Sequence, residues 1–168
     1  LPYEKQLEYK RQQVEDHVRR IGKCDTAVND TLPCMQPFYY RNKMEYSFGP
    51  RRWLSDEEIQ REEFVDDSGF AAGLHAPGRF DKILNLYECH LQDPISFELL
   101  DFVRNYALKH KIDAFDTFEK TGFFRHLVIR KAHYTNDLMV NLVCYFDDQS
   151  IIKDLYAKMM KRFPSITT

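Results

Sequence analysis

The apolar pattern of this chain switches between the helical period and a period of two, and that alternation constrains its fold more than any single motif does. Tyr3, Leu7, Val14, Val18 and Ile21 share one helical face, Glu4, Lys5, Glu8, Arg11, Glu15 and Arg19 surround the other, and Gly22 supplies a stop. Lys23 to Pro37 follows neither period and carries Asn29, Asp30, Pro33 and Pro37, which predicts a loop. From Phe38 to Phe48 the period is two: Tyr40, Met44, Tyr46 and Phe48 alternate with Tyr39, Arg41, Lys43, Glu45 and Ser47, the pattern of a half-buried strand that Gly49 and Pro50 would end. Between Asp56 and Asp67 stand seven acids and one base, Arg61, which predicts a solvated surface excursion.

Further on, Phe70 to Leu74 and Lys82 to Tyr87 read as short strands joined by the turn-forming set His75, Ala76, Pro77 and Gly78. Asp93 and Pro94 suit the N-cap and first position of a helix whose buried stripe is Ile95, Leu99, Phe102, Val103 and Tyr106, with Lys109, His110 and Lys111 at its negative end. Phe123 to Ala132 and Leu138 to Phe146 form a predicted hairpin around Thr135, Asn136 and Asp137. Asp148 or Gln149 opens a last helix, with Ile152, Leu155, Tyr156, Met159 and Phe163 facing inward, and Pro164 closes it. The order predicts an α+β fold, a mostly antiparallel sheet packed by helices on one side. At 168 residues a single domain is expected.

Composition then narrows the chemistry. Hydrophobic residues at 43% and charged ones at 30% are a globular balance, and no apolar run reaches the roughly 18 residues of a membrane span. Net charge is −2, so any affinity for nucleic acid has to come from a local basic patch. The six glycines are nowhere spaced as a dinucleotide fingerprint or a P-loop, and no hydrolase elbow, zinc-protease helix or calcium loop occurs. Cys24, Cys34, Cys89 and Cys144 form no C-x-x-C pair, which fits reduced thiols in a cytoplasmic setting, with Cys144 a small hydrophobe in its apolar strand. His75, His90, His126 and His133 lack the spacing of a metal set. The informative stretch is Phe38 to Arg52, where Arg41, Lys43, Arg51 and Arg52 interleave with Phe38, Tyr39, Tyr40, Tyr46 and the following Trp53. Cations neutralise phosphates and aromatic rings stack on unpaired bases, a mixture suited to single-stranded RNA. Lys120, Arg125, His126, Arg130 and Lys131 form a second basic set that joins the first if their strands are neighbours. The same faces also fit ordinary solvated strands.

Three segments, LPYEKQLEYKRQQVEDHVRRIG, YYRNKMEYSFG and GLHAPGRFDKILNLYECHLQ, together with the later TGFFRHLVIRKAHYTNDLMVNLV, resemble the RNA (uracil-5-)-methyltransferases, most closely the bacterial enzymes of 23S ribosomal RNA. That resemblance covers nearly the whole chain and implies most of the family's central domain, residues 1–168, without the N-terminal RNA-binding barrel and cluster motif or the C-terminal Rossmann-like domain that binds S-adenosylmethionine. The Leu1 start and the uncapped opening helix likewise lead us to expect a piece of something longer. In the family a cysteine thiolate adds to C6 of uracil, C5 takes the methyl group, and a base removes the C5 proton. The S-C-N-P-like motif that holds this nucleophile does not occur here, so the resemblance implies no catalytic residue in this chain and no turnover by it alone. It also implies a [4Fe-4S] cluster in the whole enzyme, with three thiolates upstream and a fourth in the segment written here as YECHLQ, which gives Cys89. An orphaned Cys89 and no iron are expected for the chain itself.

The family's basic strand matches Tyr40, Arg41 and Lys43, whereas Asn42 and Glu45 stand where relatives carry further bases. The expected RNA contacts are therefore Tyr40, Arg41, Lys43, Arg51, Arg52, Arg125 and Arg130. Ribosomal RNA is the expected partner and transfer RNA the alternative, with no membrane and no obligate protein partner. A stand-alone α+β module that binds RNA or protein without chemistry is the competing class.

Overall fold

The computed structural model describes residues 1–61 and 63–168; Glu62, one of the seven acids of the predicted excursion, lies outside the described residues. The chain divides into two compact units, Leu1–Pro37 and Phe38–Thr168. In the first, α1 (Tyr3–Asp16) runs into a π-helical turn, His17–Ile21. The predicted stop at Gly22 works through proximity: its φ is −70°, but a Cβ there would stand 2.7 Å from the Val18 carbonyl oxygen, and Lys23 takes the left-handed conformation instead. Residues 23–37 form no helix or strand and fold back along α1. Thr31 Oγ1 donates to the Leu7 carbonyl (3.0 Å), the Tyr3 hydroxyl accepts from Cys34 N (2.7 Å), and Arg11 faces Asp30 at 3.4 Å. Val14 and Ile21, on the predicted apolar face, are exposed.

The second unit is built on a sheet of order β3-β2-β1-β4-β5, with every pairing between strands antiparallel. Its strands are β1 (Lys43–Arg51), β2 (Ser68–His75), β3 (Ile83–Asn85), β4 (Phe124–Lys131) and β5 (Leu138–Cys144). Between them lie α2 (Asp56–Ile59), α3 (Pro94–His110) and, last, α4 (Gln149–Arg162). The α+β class read from the pattern stands, and both long helices cover one face. Met44, Tyr46 and Phe48 of β1, Ala72 of β2, and Phe124, Leu127 and Ile129 of β4 meet Leu99, Leu100, Val103 and Ala107 of α3 and Leu155 and Met159 of α4 in one core. Each fully buried Val, Leu, Ile, Phe or Met side chain contributes roughly 1.5–3 kcal/mol. Tyr156, expected inward, is exposed.

Both long helices begin where their caps predict. Asp93 accepts from Ile95 N (3.1 Å) with Pro94 in the first turn, and Asp148 accepts from Ser150 N and Ile151 N (3.0 and 3.2 Å). β1 departs from expectation at both ends. It starts at Lys43, because residues 39–41 lie alongside 90–92 instead, with Tyr39 N donating to His90 O and Arg41 N to Leu91 O (both 2.8 Å). It runs on through Gly49 and Pro50, because a shift of register between Gly49 and Arg51 places the proline at a bulge that needs no ladder donor.

Candidate nucleic-acid interface

Because residues alternate across a strand, the face of the sheet away from α3 and α4 is set by the register. β1 contributes Lys43, Glu45 and Ser47, β4 contributes His126, Val128 and Arg130, and β5 contributes Met139, Asn141 and Val143. They form rows: Lys43 opposite Arg130 and Met139, Glu45 opposite Val128 and Asn141, Ser47 opposite His126 and Val143. The two basic sets of the sequence therefore do meet, at one end of β1. There Lys131 N donates to Asn42 O (2.9 Å), and Asn42, Lys43, Arg130, Lys131, Asp137 and Met139 line a groove of about 620 Å³. Two like charges directly opposed cost stability, and a sequence tolerates that where a ligand supplies the missing anion. Among the described residues Lys43 is offset only by Glu45, at 3.4 Å, while the Lys131 ammonium is held on the Asp93 carboxylate that caps α3.

The other expected contacts lie elsewhere. Arg41 precedes the basic end, with its guanidinium 3.7 Å from Met44 Sδ, and Tyr40 beside it is exposed. Arg51 and Arg52 stand at the far end of β1, eight and nine residues on, roughly 26 Å from Lys43 or more at about 3.3 Å per residue. Arg51 is exposed, but Arg52 forms a bidentate pair with Glu58 (2.8 and 2.8 Å) and also donates to Asp66 O (3.2 Å). Glu58 in turn closes a capping box with Ser55 at the start of α2, and the Arg52 hydrogen bonds hold its carboxyl down at about 2. Arg52 thus secures the acidic excursion with the donors expected to meet phosphate. Arg125 stacks on Phe115, 4.6 Å from its ring, near the Arg51 end.

At the centre of the face, Ser47 Oγ lies 3.3 Å from His126 Nδ1. Burial, and then the Arg125 charge, push the His126 pKa below its ordinary value, which favours a neutral ring able to exchange hydrogen bonds. Cys89 sits half-buried against the core, just before the stretch paired with residues 39–41, where His90 packs edge-on to Phe38 and Tyr39. Burial, with Cys89 as the lesser cause, raises the pKa of Tyr46, whose hydroxyl donates to Gln92 Oε1 (3.1 Å). Among the described residues no three His, Cys, Asp or Glu come together as a metal site. A [4Fe-4S] cluster takes four thiolates in the usual case, so the described residues around Cys89 do not make up such a site.

Arg104 escapes the patterns read from the sequence. It is buried in α3, donates to Ala72 O (2.9 Å) and Leu86 O (2.8 Å), and lies 5.1 Å from the Tyr87 ring. A lone arginine in the middle of an apolar helical stripe was the available signal.

No protein-family model matches the chain. It is 37% identical over 172 residues to an uncharacterized RNA methyltransferase of Bacteroides thetaiotaomicron, covering 100% of this chain and 37% of the relative. A second, from Porphyromonas gingivalis, is 39% identical over 173 residues with the same coverage, and one from Chlorobaculum tepidum is 31% identical, covering 96% of this chain and 34% of the relative. The chain therefore spans little more than a third of the length of these curated relatives. Its fold is similar to a crystal structure of Pyrococcus abyssi tRNA (uracil-54, C5)-methyltransferase in complex with S-adenosyl-L-homocysteine, with a TM-score of 0.56 and 23% identity, covering 88% of this chain and 32% of that one. An α+β chain related along its whole length to RNA methyltransferases is the class so defined. More narrowly, the sequence likeness is to RNA methyltransferases, and the likeness to the tRNA (uracil-54, C5)-methyltransferase is one of fold.

Proposed function

We propose that this chain holds RNA for an S-adenosylmethionine-dependent RNA 5-methyluridine methyltransferase, with 23S ribosomal RNA as the substrate and the cytoplasm as its setting. The observation that carries this reading is the opposed pair Lys43 and Arg130 on the face of the sheet away from α3 and α4, at a basic groove that Asn42, next to Arg41 in the chain, also lines. Two cations side by side match successive phosphates of one strand. Transfer RNA is the second reading, and it is favoured by the structural neighbour, a tRNA (uracil-54, C5)-methyltransferase. S-adenosylmethionine belongs to the whole protein in this reading, and the neighbour's bound S-adenosyl-L-homocysteine is in keeping with that. The chain's own part is to bind and orient the strand. Cys89 is the single thiol that the reading assigns to a [4Fe-4S] cluster, whose other thiolates the resemblance places outside these residues.

The test is binding of a single-stranded RNA by wild type and by the K43A/R130A double variant at 50 and 200 mM salt. Losing two phosphate contacts should make the salt slope shallower by about 1.4, so the gap between the proteins closes about sevenfold across that range. An unchanged slope removes both residues from the interface.

A further inference from the structure

At the Arg51 end of the sheet, away from the basic groove, two phenylalanines project from separate turns. Phe80 and Phe118 are 64% and 58% exposed, yet their rings lie 5.7 Å apart, tilted by 47°. Neither owes its position to a shared core. Phe80 follows the turn in which Arg79 N donates to Ala76 O (3.0 Å) and Ala76 N to Lys82 O (3.1 Å), braced by the bidentate Arg79–Asp81 pair (2.8 and 2.7 Å). Phe118 sits in a second turn, where Asp116 Oδ1 accepts from Phe118 N (2.7 Å) and Glu119 N (3.1 Å), and Asp116 N donates to Thr121 O (2.8 Å). Gly122 closes that turn at φ 87°, where a Cβ would come within 2.1 Å of Ala114 O. Two turns fixed by their own hydrogen bonds hold apolar rings out in water, at a cost in solvation.

We propose that Phe80 and Phe118 form a stacking platform for an unpaired base of the RNA strand, with Arg51 and Lys120 placed for its phosphates. The inference rests on the RNA reading above and adds a second contact point to it. Charge decides the occupant. Asp81 and Asp116, the two carboxylates lining the cleft between the rings and the sheet, are already engaged, one by Arg79 and the other by backbone N–H groups. The cations are better placed for a ligand: Arg51 is exposed and lines the cleft, and Lys120 lies 6.0 Å from the Phe115 ring. Among the described residues neither forms an ion pair. Apolar rings with cations nearby that no carboxylate pairs suit a base and its phosphate better than an apolar protein surface. Size decides the mode. The cleft itself holds about 30 Å³, room for a water-sized group and no more, so a base lies on the exposed ring faces without entering.

The experiment compares wild type, F80A/F118A and F118W for binding of a single-stranded oligouridine and of a blunt RNA duplex, with the thermal melt of each protein as the check on folding. F80A/F118A is expected to lose at least fivefold in affinity for the single strand, with the salt slope and the duplex affinity unchanged and F118W close to wild type. Single-strand affinity within twofold of wild type overturns the platform. If the same variant instead abolishes self-association seen by sedimentation while RNA affinity holds, the rings serve a protein contact and the inference is likewise overturned. Failure of the broader reading looks different: wild type then binds no single strand, or K43A/R130A leaves the salt slope untouched.

Discussion

Arg104→Ala should be among the most damaging single substitutions in the sheet unit. Arg104 comes from the middle of α3 and bonds two carbonyls across the sheet, Ala72 O in β2 and Leu86 O just past β3. β3 is only three residues long, so this side chain holds the strand in place from beneath. Each charge-assisted hydrogen bond of this kind is worth roughly 1.5–3 kcal/mol, and two lost together would cost about 3–6. Removing the buried charge also removes its desolvation cost, which brings the net loss to about 2–4 kcal/mol. For a chain of this length each kcal/mol moves the melting temperature by roughly 2–4 °C, so a fall of about 4–16 °C is expected by circular dichroism. Hydrogen exchange adds a local reading. The Leu86 amide, bonded to Ala72 O at 3.2 Å, should lose protection before the centre of β1 does. R104K, which keeps the charge, should fall between wild type and R104A. A melting temperature for R104A within 2 °C of wild type, with Leu86 still protected, refutes the reasoning.

Two further outcomes follow from titration and burial. His126 is flanked by Ser47, Arg125, Glu45 and His75, and its lowered pKa means that the fold favours the neutral ring. Its contribution is present above the ordinary histidine value near 6.5 and is lost as pH falls below it, by at most about 1.4 kcal/mol per pH unit. Denaturant melts between pH 7 and 5 should therefore show a shallower acid decline for H126Q than for wild type, and parallel curves would contradict this. Burial pushes the Cys144 thiol up to about 11, whereas Cys24 and Cys34 are exposed. Iodoacetamide at pH 8 should label Cys24 and Cys34 well before Cys144, read by peptide mass spectrometry, and equal rates would show that β5 is open.

Local order was legible in the residues themselves. Asp93 with Pro94, and Asp148, mark their helix starts because an N-cap bonds backbone donors within three residues, a range that sequence spacing covers. Alternation placed Met44, Tyr46 and Phe48 on one face for the same reason, since a pleated strand turns each side chain over at every step. What spacing leaves open is which strands pair and in what register. The meeting of Lys43 with Arg130, the diversion of residues 39–41 to 90–92 and the pairing of Phe80 with Phe118 all join positions dozens of residues apart. So does the reach of Arg104 to Ala72. Such contacts are fixed by how the whole core closes, because each is weak alone and forms only once buried apolar area has brought its elements together. The sequence therefore decided the elements and their caps, and tertiary packing decided where the charges gather.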